Sequence, residues 1–407
     1  MEKTMVGFFS PISDGEKNLE LRNKSKKGGW KIILPSEVDE ISQDPEDNLL
    51  WFFIGTGGTE KSVIDYLSKF SDKTIPLIVT HDHYNSLPSG MEIRKHLADL
   101  GKETRIIHVD MDRISDVLNK EYLLLEVKQK LQDYKLGLIG EVSDWLIASR
   151  IDPKRVKDVW GVDLIPIPIK ELVETITHHR DEKLSETTEQ FLKHAQATDR
   201  TDNQIFEAQY VVQAIEALVK KYNLDAFSIE CFSLIQETDS TSCYALSYFN
   251  DIGLVAGCEG DLPSTFTMIL AKLLVDKPSF MANVISVSPE ENNVNLAHCT
   301  VPLTMTEGYS IRSHFESNKG VAIKGEFKLN EPVTLIKIGG RSLTDWWVSS
   351  GIILKNQDDE GCCRTQVEIQ LKDSVNYFLQ NSLANHHIMI LGDHQVLFET
   401  FLKQFLQ

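Results

Sequence analysis

The chain has 407 residues, 42% hydrophobic and 25% charged, which is enough for two or three domains with cores of their own. Its net charge of −18 disfavours nucleic acids and anionic membrane surfaces as partners, since like charges repel. No apolar run predicts a transmembrane helix, and an acidic residue at position 2 makes the N-terminus a poor signal peptide. The six cysteines form no C-x-x-C pair and are typical of buried thiols. We therefore expect a cytoplasmic protein.

Residues 1–165 alternate short apolar runs with amphipathic stretches, among them 61–70 and 90–100. The apolar runs lie at 30–34, 50–54, 75–79, 105–109 and 135–139. This alternation predicts an N-terminal α/β domain with a mostly parallel sheet. The basic run KSKK at 24–27 is expected in a solvated loop.

A second α/β domain is predicted over residues 166–302. It begins with a polar stretch, 172–204, expected to form surface helices or a connection between domains. An amphipathic helix follows from Ile205 to about Asn223. Further apolar runs, with a helix between the third and the fourth, lie at 227–235, 244–249, 254–258, 280–287 and 294–301.

From residue 303 to 407 the hydrophobic period changes to two, and turn residues separate the segments at close intervals. This pattern predicts an antiparallel barrel or sandwich, closed by a helix over 395–405. The predicted fold is therefore two α/β domains, Rossmann-like or flavodoxin-like, followed by a C-terminal domain of the antiparallel β-barrel type.

The most informative stretch is 254–275, where an apolar strand runs straight into Glu259-Gly260-Asp261 and helical spacing then begins. Asp261 is a good N-cap for that helix. Glu259 ends a buried strand and needs a partner there. Because parallel neighbouring strands end at one edge of a sheet, we expect Asn283, in the next strand, to face Glu259.

Two histidines complete a candidate metal site. His298 lies in an apolar run, and the pair His386-His387 leads another. A dyad of His298 with Cys299 is weak, since adjacent strand residues face opposite sides. One carboxylate, one amide oxygen and two imidazoles suit an octahedral divalent ion, with a bias towards Mn²⁺.

Four segments carry a resemblance to a known superfamily: GCEGDLPSTFTMIL, SFMAN, LAHCTVP and ANHHIMILGDH. They resemble the L-fucose isomerase and L-arabinose isomerase superfamily, most of all its shorter branch of about this length. HDHYNSLPSGMEIRKHL, IGEVSDWLIAS and RSHFESNKGVAIKGEF also resemble segments of that group, in the same order. The resemblance therefore spans most of the chain.

The resemblance implies an aldose–ketose isomerase that works through a cis-enediol with Mn²⁺, or with Co²⁺, Mg²⁺ or Zn²⁺. Glu259 matches the family's first acidic ligand and acid/base group, and His386 matches its C-terminal ligand. His298 matches a ligand of the arabinose branch. Asn283 stands where the second catalytic carboxylate is expected, and an amide cannot carry the proton.

The second base would then be Asp261, His387 or a metal-bound water. The resemblance also implies a homo-oligomer, a hexamer or another trimer- or dimer-based assembly, with the sugar bound between subunits. Candidate sugar contacts are His83 and Asn85 from a neighbouring subunit, together with Ser143, Trp145, His314 and Glu316, and His387 is a further candidate.

Other functions stay open. The closest alternative is isomerisation of an anionic hexose, sulfonated like sulfoquinovose or phosphorylated, with Arg312 and Lys324 as possible cations. A metal-dependent epimerase or aldolase that acts on a similar substrate is another close alternative. A catalytically silent sugar-binding protein is favoured only by Asn283. A periplasmic solute binder is disfavoured by the missing signal peptide and the β-rich C-terminal third.

Overall fold

The computed structural model describes residues 3–37, 49–71, 74–178 and 183–406. The chain divides into two units, Met1–Leu123 and Leu124–Gln407. The strands of the first unit are β1 (Lys3–Phe8), β2 (Trp30–Ile33), β3 (Leu49–Ile54), β4 (Ile75–His81) and β5 (Arg105–Val109). They pair in parallel in the order β2-β1-β3-β4-β5.

The helices of this part of the chain are α1 (Gly15–Lys27), α2 (Glu60–Leu67), α3 (Ser86–Asp99) and α4 (Ile114–Lys130). Every predicted strand and both amphipathic helices of this region are present, whereas β1 and α1 were not predicted. The loop expected at 24–27 was wrong, because these residues form the last turn of α1. The Asp14 side chain caps that helix, and its terminal lysines complement the helix dipole.

A second parallel sheet lies in the second unit. Its strands are β6 (Lys135–Ile139), β7 (Asp163–Ile167), β8 (Ala226–Ile229) and β9 (Val255–Cys258). Their order is β7-β6-β8-β9, so β6, from the segment 1–165, pairs with strands of the later segment. The helices here are α5 (Pro153–Trp160), α6 (Ile169–His178), α7 (Glu186–His194), α8 (Asp202–Tyr222), α9 (Cys231–Thr238), α10 (Cys243–Asp251) and α11 (Leu262–Val275).

Two of the apolar runs in this region do not form simple strands. The apolar run at 244–249 is helical, within α10, and the run at 227–235 is a strand followed by α9. A buried helix and a buried strand both read as an unbroken apolar run, so periodicity cannot separate them. In the polar stretch 172–204, the structure forms the end of α6, then α7, and residues 179–182 lie outside the described part.

The C-terminal region forms a closed, six-stranded antiparallel barrel, which confirms the predicted barrel. Its strands are β10 (Phe280–Ser288), β11 (Asn293–His298), β14 (Pro332–Gly339), β15 (Asp345–Asn356), β16 (Thr365–Leu371) and β17 (His386–Leu391). They close in the order β10-β11-β16-β15-β14-β17. A separate hairpin joins β12 (Gly308–Arg312) and β13 (Ala322–Glu326), and the helices are α12 (Asn376–Gln380) and α13 (Gln395–Leu406).

The barrel therefore includes β10 and β11, which the sequence analysis grouped with the second α/β domain. The domain boundaries at 165 and 302 stay predictions. Helix α11 packs against β9 on one side and against β14 and β17 of the barrel on the other. This contact explains why α11 is apolar almost all round its surface. No helix within the described ranges is long and apolar enough to cross a membrane.

Candidate functional site

The candidate site begins at a sharp turn between β9 and α11. Glu259 has φ 60° and Gly260 has φ 66°, so the chain reverses through two left-handed residues. A glutamate rarely adopts this conformation, and such strain often marks a functional position. At Gly260 a Cβ would lie 2.4 Å from the backbone oxygen of Glu141, so only glycine allows the approach of that loop.

The same loop holds Glu259 at two points. The backbone N–H of Ser143 donates to the backbone oxygen of Glu259 over 3.1 Å. The indole Nε1 of Trp145 donates to Glu259 Oε2 over 2.7 Å. The ring of Trp145, which is 54% exposed, packs edge-on against Phe232. Ser143 and Trp145, predicted as sugar contacts, therefore both lie beside Glu259.

Asp261 caps α11 as predicted, and it is fully buried. Its carboxylate accepts hydrogen bonds from the backbone N–H and the hydroxyl of Ser264 and from Nδ1 of His386. Burial opposes its charge, but the ammonium group of Lys337 and the hydrogen bond from His386 hold its pKa well below the usual range. The carboxylate oxygens of Asp261 thus already accept hydrogen bonds from Ser264 and His386. The role of Asp261 as second base stays a prediction.

Lys337 is a site residue that sequence reasoning missed. It lies on β14, is completely buried, and donates through Nζ to Ser264 Oγ over 2.6 Å. The same Nζ is 3.7 Å from Asp261 Oδ2, which makes a buried ion pair. The sequence pattern that could have revealed it is its spacing, because Lys337 lies on the same strand face as the core residues Val333 and Leu335.

His386 begins β17 and joins the two acids. Its Nδ1 donates to Asp261 Oδ2 over 2.9 Å, which turns Nε2 towards Glu259 Oε1 at 3.6 Å. Nε2 is buried, and no group of the described chain accepts or donates a hydrogen bond there. Burial works against a charged ring, but the hydrogen bond to Asp261 and the negative charges of Glu259 and Asp261 raise the pKa of His386 to about 9.

The carboxylate of Glu259 is ionised in this arrangement. Burial opposes its charge, yet the nearby positive charge of His386 and the hydrogen bond from Trp145 outweigh burial and lower the pKa of Glu259 to about 2. His387 lies on the other face of β17, where its ring contacts Trp347 and Tyr377 and its Nδ1 donates to the Asn385 backbone oxygen. Burial lowers the pKa of His387 to about 3. The role of His387 as a base or a sugar contact stays a prediction.

His298 is the last residue of β11. Its Nδ1 is 2.9 Å from Thr300 Oγ1, and its ring lies edge-on to that of His386 with centroids 5.5 Å apart. Burial lowers the pKa of His298 to about 3, which keeps the imidazole neutral and able to bind a metal. One ligand atom each of Cys258, Glu259 and His298 lie within 4.8 Å of one another.

Asn283 reaches the site by a different route from the one predicted. Its strand β10 is antiparallel and belongs to the barrel, so the expected parallel neighbour of β9 was wrong. It still lines the same cavity as Glu259 and pairs in register with His386. Its side-chain oxygen accepts a hydrogen bond from Nδ2 of Asn385.

The cavity between these residues is small, with a volume of about 30 Å³. That is room for an ion or a water and not for a sugar. His314 and Glu316 line it, as does Cys299. Burial and the charge of Glu259 raise the pKa of Glu316, and burial lowers the pKa of His314. Five cysteines line the cavity: Cys231, Cys243, Cys258, Cys299 and Cys363.

His83 and Asn85 lie in the first unit, in the turn between β4 and α3. Asn85 has φ 57° and stands at the N-terminus of α3. It lines a wide cavity of about 640 Å³, together with Thr56 and Tyr84. The structure does not bring this pair together with Glu259 within one unit, and their contact with a sugar stays a prediction.

The two candidate cations for an anionic sugar are already paired. Arg312 contacts Asp199 at 3.1 Å and Glu360 at 3.6 Å, and Lys324 contacts Asp358 at 2.6 Å. These pairs leave each cation with an acidic partner close by.

The donor set around Glu259 fits a divalent cation. It offers the carboxylate of Glu259, the neutral imidazole of His298 and the buried Nε2 of His386, whose proton a bound cation would displace. A buried nitrogen that lacks a partner is costly unless a ligand satisfies it. Imidazole and carboxylate donors together are compatible with Mn²⁺, Fe²⁺, Co²⁺ and Zn²⁺.

Comparison with known proteins points to sugar isomerases. No protein-family model matches the chain. Proteins of Priestia aryabhattai and Priestia megaterium, both named sulfoquinovose isomerase, are 21% identical over 192 residues, 47% of this chain and 43% of theirs. A sulfoquinovose isomerase of a Clostridium species is 24% identical over 178 residues, 43% of this chain and 39% of its own length.

The matched region thus spans less than half the length of these curated relatives. Their names support a sugar isomerase of the fucose/arabinose isomerase-like kind. Among the alternatives left open by the sequence, they favour the isomerase of an anionic sugar.

Proposed function

We propose that the protein interconverts an aldose and a ketose, and that its substrate is an anionic hexose of the sulfonated kind, such as sulfoquinovose. The observation that carries this proposal is the pair formed by Glu259 and His386. An ionised carboxylate fixed by Trp145 faces a buried imidazole nitrogen that has no hydrogen-bond partner among the described residues. The names of the three relatives support the sulfonated substrate over a neutral sugar.

Glu259, His298 and His386 would hold a divalent ion, with the amide oxygen of Asn283 as a further candidate. We propose that this ion is one of Mn²⁺, Co²⁺, Mg²⁺ and Zn²⁺. A bound ion of this kind supplies Lewis-acid polarisation of a carbonyl and its neighbouring hydroxyl, which acidifies the C–H bond between them.

The chain's own residues divide the remaining work. The Glu259 carboxylate takes the proton from one sugar carbon and returns it to the next, through a cis-enediol. Trp145 holds Oε2 of that carboxylate in place over 2.7 Å. Asp261 holds Nδ1 of His386, so that Nε2 faces Glu259, and Lys337 balances the charge of Asp261.

A second proton carrier is needed because the two sugar oxygens exchange a proton as the carbonyl moves. Asn283 cannot serve, since an amide carries no acidic proton at ordinary pH. Glu316 lines the same cavity as Glu259 and, with its raised pKa, is suited to hold a proton. We assign this step to Glu316, with His314 as a neighbouring sugar contact.

The remaining sugar contacts would come from a second copy of the chain. We propose a homo-oligomer in which His83 and Asn85 of one subunit contact the sugar held by another. The small volume beside Glu259 supports this, because a hexose must lie largely outside the 30 Å³ cavity.

Deuterium exchange tests the proposal. Metal-free protein is reloaded with Mn²⁺, Co²⁺, Zn²⁺ or Mg²⁺ and incubated in D₂O with sulfoquinovose, glucose 6-phosphate, glucose, L-fucose and L-arabinose. We expect deuterium at C2 of the aldose or C1 of the ketose, for the sulfonated hexose above all. The Glu259→Gln variant should lose exchange by a factor of about 10³.

Glu141→Gln is the matched control, because its exposed side chain lies in the loop that holds Glu259. It should keep full exchange. Exchange with a neutral sugar alone would correct the substrate. Sugar binding without exchange on any substrate would overturn the isomerase and favour a silent sugar-binding protein.

A further inference from the structure

Cys258 is a potential metal ligand that the proposed function leaves unused. It is the last residue of β9, directly before Glu259, and is 4% exposed. Its Sγ, a carboxylate oxygen of Glu259 and a ring nitrogen of His298 lie within 4.8 Å of one another. Metal–sulfur bonds are about 2.3 Å and metal–nitrogen or metal–oxygen bonds about 2.1 Å, so ligands on one ion lie up to about 4.4 Å apart. The three atoms therefore need only small shifts to share an ion.

The other cysteines of the cavity lack this arrangement. Within the described ranges, the only metal-type cluster of His, Cys, Asp and Glu side chains contains Cys258 as its single sulfur. Cys231 lies 3.3 Å from it, sulfur to sulfur, yet stands outside the cluster. Cys243 and Cys299 pack with Ala322 in a small apolar group. Cys258 is thus the thiol placed towards the carboxylate and the imidazole.

A second, independent observation points to a ligand at this place. His386 is fully buried, and its Nε2, 3.6 Å from Glu259 Oε1, has no hydrogen-bond partner among the described residues. The amide oxygen of Asn283, which the sequence prediction offered as a hard ligand, instead accepts a hydrogen bond from Asn385. That hydrogen bond uses one of the two lone pairs of the amide oxygen, and the Cys258 sulfur is a softer donor than any predicted from the sequence.

We propose that the Cys258 thiolate joins Glu259, His298 and His386 in binding the metal ion, and that the ion is Zn²⁺ or Co²⁺ in preference to Mn²⁺. This inference rests on the metal site of the proposed function and names its ligand chemistry. The thiol proton leaves to solvent as the metal–sulfur bond forms, so binding releases one proton at Cys258. Thiolate ligands favour borderline and soft ions over Mn²⁺.

Cobalt substitution tests this directly, because a thiolate bound to Co²⁺ gives a charge-transfer absorption in the near ultraviolet that oxygen and nitrogen ligands do not give. Metal-free protein is titrated with Co²⁺ and its spectrum recorded. We expect this absorption in the wild-type protein, its loss in Cys258→Ser, and its retention in Cys231→Ser. Cys231→Ser is the matched control, since it removes a sulfur 3.3 Å away.

A competition experiment gives a second readout. The ratio of Co²⁺ to Mn²⁺ affinity should fall at least about tenfold in Cys258→Ser and stay unchanged in Cys231→Ser. If Cys258→Ser does not fold, Cys258→Ala provides a second variant, and the absorption in Cys231→Ser still tests whether the neighbouring sulfur is the ligand.

The outcomes separate this inference from the proposed function. Co²⁺ binding without charge-transfer absorption would overturn the thiolate ligand and leave the isomerase intact. Absorption that persists in Cys258→Ser and disappears in Cys231→Ser would identify Cys231 as the metal ligand and overturn the inference. Absorption without isomerisation of any sugar would support the ligand while the proposed function fails.

Discussion

An aspartate at the carboxyl edge of each parallel sheet pairs with a histidine, which comes from the same sheet in the first unit and from barrel strand β17 in the second. In the first unit, Asp82 Oδ1 lies 3.0 Å from His108 Nε2. In the second, Asp261 Oδ2 lies 2.9 Å from His386 Nδ1. The first pair is exposed, with 61% of the Asp82 side chain accessible, whereas the second is completely buried.

The difference comes from a second layer of structure. At the edge of the second sheet, α11 follows the turn after β9 and packs against the barrel strands β14 and β17, which brings Ser264 and Lys337 to the pair. Removed from water, the same contact becomes strong and directional. A sheet edge thus becomes a buried charged site only where another layer covers it.

The largest expected effect is on stability. Asp261→Asn leaves Lys337 buried without a counter-charge, and we expect it to lower the free energy of unfolding by about 3 kcal/mol or more. Asp82→Asn, at the exposed pair, should change it by less than about 0.5 kcal/mol. Urea unfolding followed by circular dichroism measures both. Equal effects would contradict the role assigned to burial.

The next largest expected effect is the coupling free energy between the buried charges of Asp261 and Lys337. Lys337→Met removes the cation while keeping the volume of the side chain. The double variant Asp261→Asn/Lys337→Met should cost about 2 kcal/mol less than the sum of the two single variants. The same urea titrations complete this cycle. Strict additivity would mean that the 3.7 Å pair does not stabilise the site.

The sequence predicted much of the site at the carboxyl edge of the second parallel sheet, but little of the structure that buries this site. The turn at Glu259 and the N-cap Asp261 could be found because an apolar strand changes abruptly into acids and then into helical spacing. The barrel strands after residue 303 could be found from their period of two. The same period shows that His386 and His387 face opposite sides of β17, although it does not tell which of them faces Glu259.

Other features could not be read from the sequence because they depend on tertiary neighbours. Strands β10 and β11 are apolar enough for either a parallel sheet or a barrel, so their sheet was assigned wrongly. Lys337 sits in a strand whose lysine would ordinarily reach solvent. The cysteines of the cavity come from separate elements and share no spacing, so nothing in the chain predicted that Cys231 and Cys258 would meet.

The turns of the two edges allow a third test. Gly260 and Gly58 both have positive φ, 66° and 76°. A Cβ at Gly260 meets the Glu141 backbone oxygen at 2.4 Å, whereas at Gly58 the nearest atom is Ser10 Oγ at 3.9 Å. Gly58→Ala should therefore cost about 1 kcal/mol, from φ strain alone, and Gly260→Ala at least about 2 kcal/mol. Thermal unfolding compares them, and a smaller effect at Gly260 would show that the loop is free to move.

The smallest expected effect concerns how the covering loop holds Glu259. Trp145→Phe removes the 2.7 Å hydrogen bond to Oε2 but keeps an aromatic ring against Phe232. We expect deuterium exchange to slow about tenfold, with stability unchanged, because the carboxylate is ionised without Trp145 but less well oriented. Trp346→Phe, whose ring lies near Lys403, is the matched control and should leave exchange unchanged. If Trp145→Ala slows exchange no further than Trp145→Phe, the N–H alone positions Glu259. Full exchange in Trp145→Phe would instead mean that the backbone hydrogen bond from Ser143 and the turn at Gly260 are enough to position Glu259.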